Sequence, residues 1–351
     1  MSDKSRLEPP SNTLGLHQVY PDPKAQRNDI TIEKDALDLP IVAVHGLGGD
    51  SFSTFTRNNC LWIRDLLPSS PYFENARIMT FGYDARAFLH PFSKQTNGRV
   101  FTFAENLLGD LDVKRISPME KRRPIIFLGY SLGGVVIKSA LRYAHERSGL
   151  YGNVLDSTKA IVFFGTPHQG SDAATWAAFL GSLGRAVHLR STEVLDELKR
   201  WSNPLVELTR VFSELCDKFQ ITSFYEKEAT NGMIIVPEGS AVMAAKMERI
   251  RGLEADHHQV CKFTESDSNW HTVLMYLEAI VCKIREGLEP APFDAFFGSD
   301  GGAGAAQPRV LEQLRTPRRN APPGYRGNRQ LLAAQESDDE TSGDLYVTEL
   351  Q

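Results

Sequence analysis

Residues 129–133 read Gly-Tyr-Ser-Leu-Gly, and a serine framed in this way has the makings of a nucleophile. The run before it, Pro124-Ile125-Ile126-Phe127-Leu128, is apolar and partly β-branched, which predicts a buried strand. After it, Val135, Val136, Ile137, Ala140, Leu141 and Ala144 recur at helical spacing. The five residues therefore sit at a strand-to-helix junction. A turn that tight leaves no room for a Cβ at Gly129 or Gly133, and it forces Ser131 into a strained conformation that lifts its hydroxyl clear of the backbone. The helix N-terminus behind the serine offers unpaired N–H groups and partial positive charge to a developing oxyanion.

An acyl-transferring serine needs a base, an acid to orient that base, and oxyanion donors. In the α/β-hydrolase arrangement these follow in the order Ser, then Asp or Glu, then His. Of nine histidines, only His257, His258 and His271 come late enough. His271 falls inside the last amphipathic pattern, whereas His257 and His258 follow "ERIRGLEAD", where the last strand of a sheet would deliver a base. The acid is expected at Glu226, where "FQITSFYE" meets a polar turn, with Glu228 and Glu238 in reserve. Asp256 is adjacent to the base in sequence, so its side chain points elsewhere, and Asp172 reads as a helix N-cap. One oxyanion donor is expected to be the N–H of Leu132. The second is expected from the glycine-rich "VHGLGGD" at residues 44–50, where Gly46, Gly48 and Gly49 let the backbone approach and Leu47 is the donor. His45 reads as a structural residue beneath that loop. His168, at the end of another apolar run, is placed to touch substrate and comes too early in the chain to be the base.

The elements that must hold these residues are legible as alternating patterns. Short apolar runs ("PIVAVHG", "RIMTFGYD", "PIIFLGYS", "KAIVFFGTPH", "FQITSFYE", "MIIVPEGS") alternate with amphipathic stretches near residues 60–67, 102–117, 133–148, 172–186, 204–218 and 269–286. That alternation predicts an α/β fold, a mostly parallel central sheet with helices on both faces. Residues 1–36 are polar and read as an N-terminal arm, 37–290 as the α/β-hydrolase domain, and 291–351, rich in glycine, proline and segregated charge, as a disordered tail. The stretch "DAATWAAFLGSLGRAVHL" can serve as a lid through Trp176, Phe179 and Leu180, or as ordinary buried helix.

Composition narrows the function. A formal charge of -5 gives no global attraction to nucleic acid. The four cysteines lack C-x-x-C or metal-ligand spacing, which fits reduced thiols in a cytoplasmic setting and predicts no metal site. No apolar run is long enough to span a bilayer, and the first twenty residues lack the apolar core of a signal peptide, so a soluble protein is expected.

In order, "VHGLGGD", "WIRDLLP", "RIMTFGYDA", "FLGYSLGG", "IVFFGTPHQGS", "ITSFYE", "IIVP" and "ADHHQVCKF" resemble the serine-active-site-containing protein family, which is related to lipase-like serine esterases. The resemblance covers roughly residues 38–285 and is strongest to the fungal branch. It implies that Ser131 is the nucleophile, that the histidine of the "DH" motif is His257 rather than His258, and that the carboxylate after "SFY" is Glu226. Tyr130 stands where the family usually has histidine, and Gly46, Tyr130 and His168 are expected to line the substrate site. Fungal relatives continue into a nucleotide-binding module, whereas here "FFGSDGGAGAAQ" keeps only the start, so a free-standing domain is expected. The reaction implied is cleavage of carboxylic esters, lipid esters above all, without metal or organic cofactor. Acyl transfer between lipids and a non-catalytic signalling module are the alternatives. Relatives that act on lipids imply peripheral contact with a mitochondrial or reticular membrane.

Overall fold

In a computed structural model the protein is described over residues 11–23, 39–85, 99–168, 173–186, 202–243 and 245–287. Seven strands, β1 (Gly15–Tyr20), β2 (Leu39–Val44), β3 (Ala76–Gly82), β4 (Ile125–Tyr130), β5 (Thr158–Phe164), β6 (Gln220–Glu226) and β7 (Arg249–Leu253), form one sheet in the order β1-β3-β2-β4-β5-β6-β7. Every neighbouring pair is parallel except β1 with β3. The helices of ten residues or more are α1 (Arg99–Lys114), α2 (Leu132–Glu146), α3 (Ser148–Ser157), α4 (Ala173–Ala186), α5 (Ser202–Ser213) and α6 (Ser268–Arg285). This is the α/β-hydrolase architecture.

The central strands β2 and β4 are apolar almost throughout because both of their faces are covered, whereas the parallel edge strand β7 is largely exposed. Alternation still decides which face each residue serves. Ile125, Phe127, Ile161 and Phe163 join a core with α1, α2, α4 and α5, through residues such as Leu107, Val136, Leu180 and Leu208. Ile126, Leu128, Val162 and Phe164 join the opposite core, with Trp62, Trp270, Val273 and Leu277. Trp62 Nε1 donates to Cys261 O at 2.9 Å, which satisfies the one polar atom of a ring buried among Phe164, Phe263 and Trp270.

Three local expectations change. The polar arm read over residues 1–36 contains β1, which pairs with β3 from Gly15–Gly82 to Tyr20–Ile78. It is an edge strand, buried only at Leu16 and Val19, so its composition looks like solvated chain. The apolar run "MIIV" is not a strand: Thr230 and Met233 form an isolated bridge, and the following residues serve the site described below. The helical pattern read over residues 133–148 ends at Glu146 in α2, and a further helix, α3, to which the pattern gave no element, follows it. For α4 the ordinary buried-helix alternative fits, with Trp176, Phe179 and Leu180 buried in the first core. Asp172 and the segment 291–351 lie outside the described residues. Among the described residues no helix is long and apolar enough to cross a membrane.

Candidate active site

Because β2, β4, β5, β6 and β7 all run in the same direction, their C-terminal ends meet at one edge of the sheet. Ser131 follows β4 directly, Glu226 ends β6, and His257 stands four residues beyond β7. The three side chains form one line of hydrogen bonds. Ser131 Oγ lies 3.0 Å from His257 Nε2, and His257 Nδ1 lies 3.1 Å from Glu226 Oε2. A carboxylate accepts only, so Nδ1 carries the imidazole proton and Nε2 is free to accept from the serine hydroxyl. Relative exposure is 0% for Ser131, 0% for His257 and 2% for Glu226, so the line is shielded from bulk water.

The turn holding Ser131 is strained in the way the glycines require. Ser131 has φ 51° and ψ -120°, a conformation that costs a non-glycine residue about 1–3 kcal/mol. Its N–H donates to Phe164 O at 2.9 Å on the neighbouring strand. A Cβ on Gly133 would come within 2.2 Å of Val44 O, and one on Gly129 within 2.7 Å of the Gly134 Cα. A Cβ on Gly46 would meet the Ser131 Cβ at 2.9 Å, which puts the loop after β2 against the serine. Leu47 follows in that loop, and Leu132 opens α2, where the first N–H groups have no intrahelical acceptor.

Glu226 and His257 have partners of their own. Glu226 Oε1 accepts from Val236 N–H at 2.5 Å, so the run misread as a strand supplies a backbone donor to the carboxylate. His257 N–H donates to Thr230 Oγ1 at 3.0 Å. Tyr130 Oη donates to His257 O at 3.0 Å, with the two rings 5.3 Å apart. Gly165 has φ +52°, and a Cβ there would lie 3.1 Å from both Glu226 Oε2 and His257 Nδ1. Thr166 Oγ1 donates to Ser131 O at 3.1 Å. Val236, Thr230, Gly165 and Thr166 escape a reading of residue types, because three of them act through backbone or a short hydroxyl. The only signal they leave is the glycine, threonine and proline directly after a buried strand.

The remaining candidates are elsewhere. Glu228 is exposed, with its N–H donating to Ala255 O, and Glu238 opens the short helix Glu238–Ala241. His258 is half-buried beside His257, its ring 6.4 Å from that of the base, and burial together with His257 lowers its pKa. Two residues expected to line the substrate site are committed to other work. Tyr130 is buried and turned onto the His257 backbone, as its hydroxyl shows. His168 is buried against Phe163, with its ring Nδ1 bonded to Lys138 and its backbone N–H donating to Ser240 O at 2.6 Å. His45 is structural: Nδ1 donates to Gly46 O at 2.9 Å, Nε2 accepts from Tyr83 N–H at 3.1 Å, and the ring stacks on Tyr83. Burial pushes its pKa down to about 4, so the ring is neutral and its tautomer is set by these two bonds.

The chain matches, over residues 35–200, the family described as "Putative serine esterase (DUF676)". It is similar to Protein SERAC1 of Danio rerio, 25% identical over 260 residues that make up 66% of this chain and 37% of that protein. To Protein SERAC1 of Bos taurus it is 30% identical over 153 residues, 42% of this chain and 22% of that one. The chain thus spans well under half the length of these curated relatives. Among solved structures it is similar to a lipase-esterase related protein from Clostridium acetobutylicum, with TM-score 0.41 and 9% identity over 77% of this chain and all of that one. Esterase B from Lactobacillus rhamnosis has TM-score 0.41 and 14% identity, over 72% of this chain and 80% of that one.

Proposed function

We propose that this chain, a match to a serine esterase family, is a serine hydrolase that cleaves carboxylic esters through an acyl-enzyme on Ser131. The observation that carries the reading is the continuous line from Ser131 Oγ through His257 to Glu226, buried and mounted on a strained turn. In this reading Oγ attacks the ester carbonyl carbon while His257 Nε2 takes the hydroxyl proton. Glu226 steadies the imidazolium that results, and the proton then goes to the departing alcohol oxygen. Water, deprotonated by the same nitrogen, attacks the acyl carbonyl and frees the acid. The Leu132 and Leu47 N–H groups are assigned to the oxyanion, a role supported by the position of Leu132 at the start of α2 and by Gly46 against the serine. The balance of this chemistry requires neither metal nor cofactor.

The near neighbours of Ser131 in sequence and space, Gly46, Tyr130 and Leu132, are uncharged, which supports a neutral ester over an ionic substrate. A lipid ester is the finer form of the proposal. Hydrolysis of p-nitrophenyl esters of graded acyl length tests both levels. The expected result is turnover that rises with chain length and is absent in Ser131→Ala. Turnover equal in Ser131→Ala would remove the assignment, and a preference for acetate alone would remove the lipid. Acyl transfer would use the same residues and would appear as ester product when a second alcohol is supplied.

A further inference from the structure

Lys138 is a buried cation that the proposed chemistry does not use. It lies seven residues after Ser131, two turns along α2, which returns it to the same face of the helix about 10 Å away. Only 1% of it is exposed. Its ammonium donates to Pro167 O at 3.0 Å and to His168 Nδ1 at 3.1 Å, and it lies near the rings of Phe163 and Trp176, 5.9 and 6.0 Å from their centroids. Because Nδ1 accepts from the ammonium, the His168 proton is on Nε2. That atom is buried and has no hydrogen-bond partner among the described residues, and neither has Trp176 Nε1. A buried donor left unpaired costs about 1–3 kcal/mol. The ring is therefore held in place by the lysine, at the expense of its other nitrogen.

What the lysine holds is the stretch 165–168, and that stretch touches every member of the catalytic line. Gly165 lies beneath Glu226 and His257, Thr166 donates to Ser131 O, and Pro167 and His168 are the residues tied to Lys138. We propose that Lys138 is a positioning residue, whose ammonium clamps residues 165–168 so that Ser131, His257 and Glu226 stay in register. The inference rests on the serine-hydrolase reading above. Burial brings the Lys138 pKa down to about 7, with Glu248 the acidic group acting against that fall and His168 the titratable group in contact. Burial and the neighbouring ammonium keep His168 neutral. The clamp is then charged below about pH 7 and neutral above it, and a charged donor bonds more strongly than a neutral one.

The test is the second-order rate at which an alkyl fluorophosphonate labels Ser131 in the full chain, measured from about pH 5.5 to about pH 9. The forms compared are wild type, Lys138→Met, His168→Asn and His168→Leu, each with its folding checked by circular dichroism. Methionine fills the same space without a charge to bury. The expected result is a wild-type advantage over Lys138→Met that shrinks as pH rises through about 7, a ratio from which the base chemistry common to both forms cancels. At low pH that variant should label between about tenfold and a hundredfold more slowly. Asparagine keeps an acceptor facing the ammonium and should retain most of the rate, whereas leucine should not. Equal rates and identical pH profiles for wild type and Lys138→Met, or equal rates for His168→Asn and His168→Leu, would overturn the inference and leave the hydrolase reading intact. A wild type that takes no label would instead remove the reading on which the inference rests.

Discussion

Each member of the Ser131–His257–Glu226 line has its geometry enforced by a residue with no chemistry of its own. Val236 fixes one oxygen of Glu226, Thr230 and Tyr130 hold the backbone of His257, and Thr166 holds the backbone of Ser131. Glu226→Gln keeps the shape while removing the charge that stabilises imidazolium. Loss of a triad acid costs on the order of 10⁴ in turnover, and Glu228→Gln or Glu238→Gln should cost less than about tenfold. Acylation rates of the three variants under one condition check this, and a collapse at either reserve carboxylate would move the acid. By the same measure His257→Ala should be inactive and His258→Ala close to wild type. His45 gives a prediction about stability. Its folded pKa of about 4 lies below its unfolded value, so the unfolded chain gains a proton first as pH falls. Stability is therefore lost between about pH 6.5 and about pH 4, with no further loss from this group below that range. Urea unfolding at the two ends of the range should show a smaller acid penalty in His45→Gln than in wild type, and equal penalties would contradict the account.

At the scale of elements, the site depends on backbones that come closer than a side chain allows. Gly133→Ala would drive a methyl into Val44 O, separating α2 from β2, and should cost about 3 kcal/mol or more in denaturant unfolding. Gly165→Ala is a different case. Its positive φ costs roughly 1–2 kcal/mol, but the added Cβ presses on Glu226 and His257. It should therefore lower Ser131 labelling far more than it lowers stability. A Gly165→Ala variant that labels at the wild-type rate would show that the acid and base are not held from below. The elbow glycines are legible in the sequence because they depend on local pattern, a buried run giving way to a turn and then to helical spacing. The role of "MIIVP" is not legible. Four apolar residues look like a strand, and nothing in their types reveals that the contribution of Val236 is a backbone N–H. The orientations of Tyr130 and His168 are hidden for a related reason. Tyr130 ends a strand and His168 follows one closely, where substrate contact is the default expectation, and each is turned away by a partner far off in the chain, the His257 carbonyl and the Lys138 ammonium.

At the scale of the molecule, the sheet divides two cores and gathers its polar chemistry at one edge. The central parallel strands β2, β4 and β5 could be read from composition because both of their faces are buried. The antiparallel edge could not, since β1 buries only Leu16 and Val19 and surrounds them with polar residues. That strand nevertheless closes the sheet: it covers β3, and Leu16 N–H donates to Asp110 Oδ2 of α1 at 3.0 Å. A chain beginning at residue 21 should melt lower by about 5 °C or more, and an unchanged melting temperature would make β1 dispensable. The assembly as a whole has one central claim, that the fold activates a single serine out of the many in the chain. Intact-mass spectrometry of the full protein after exposure to a fluorophosphonate tests it without knowledge of the substrate. The account predicts one adduct on the wild type, located at Ser131, absent from Ser131→Ala and slowed by His257→Ala. A wild type that stays unmodified, or an adduct that survives in Ser131→Ala, would contradict it.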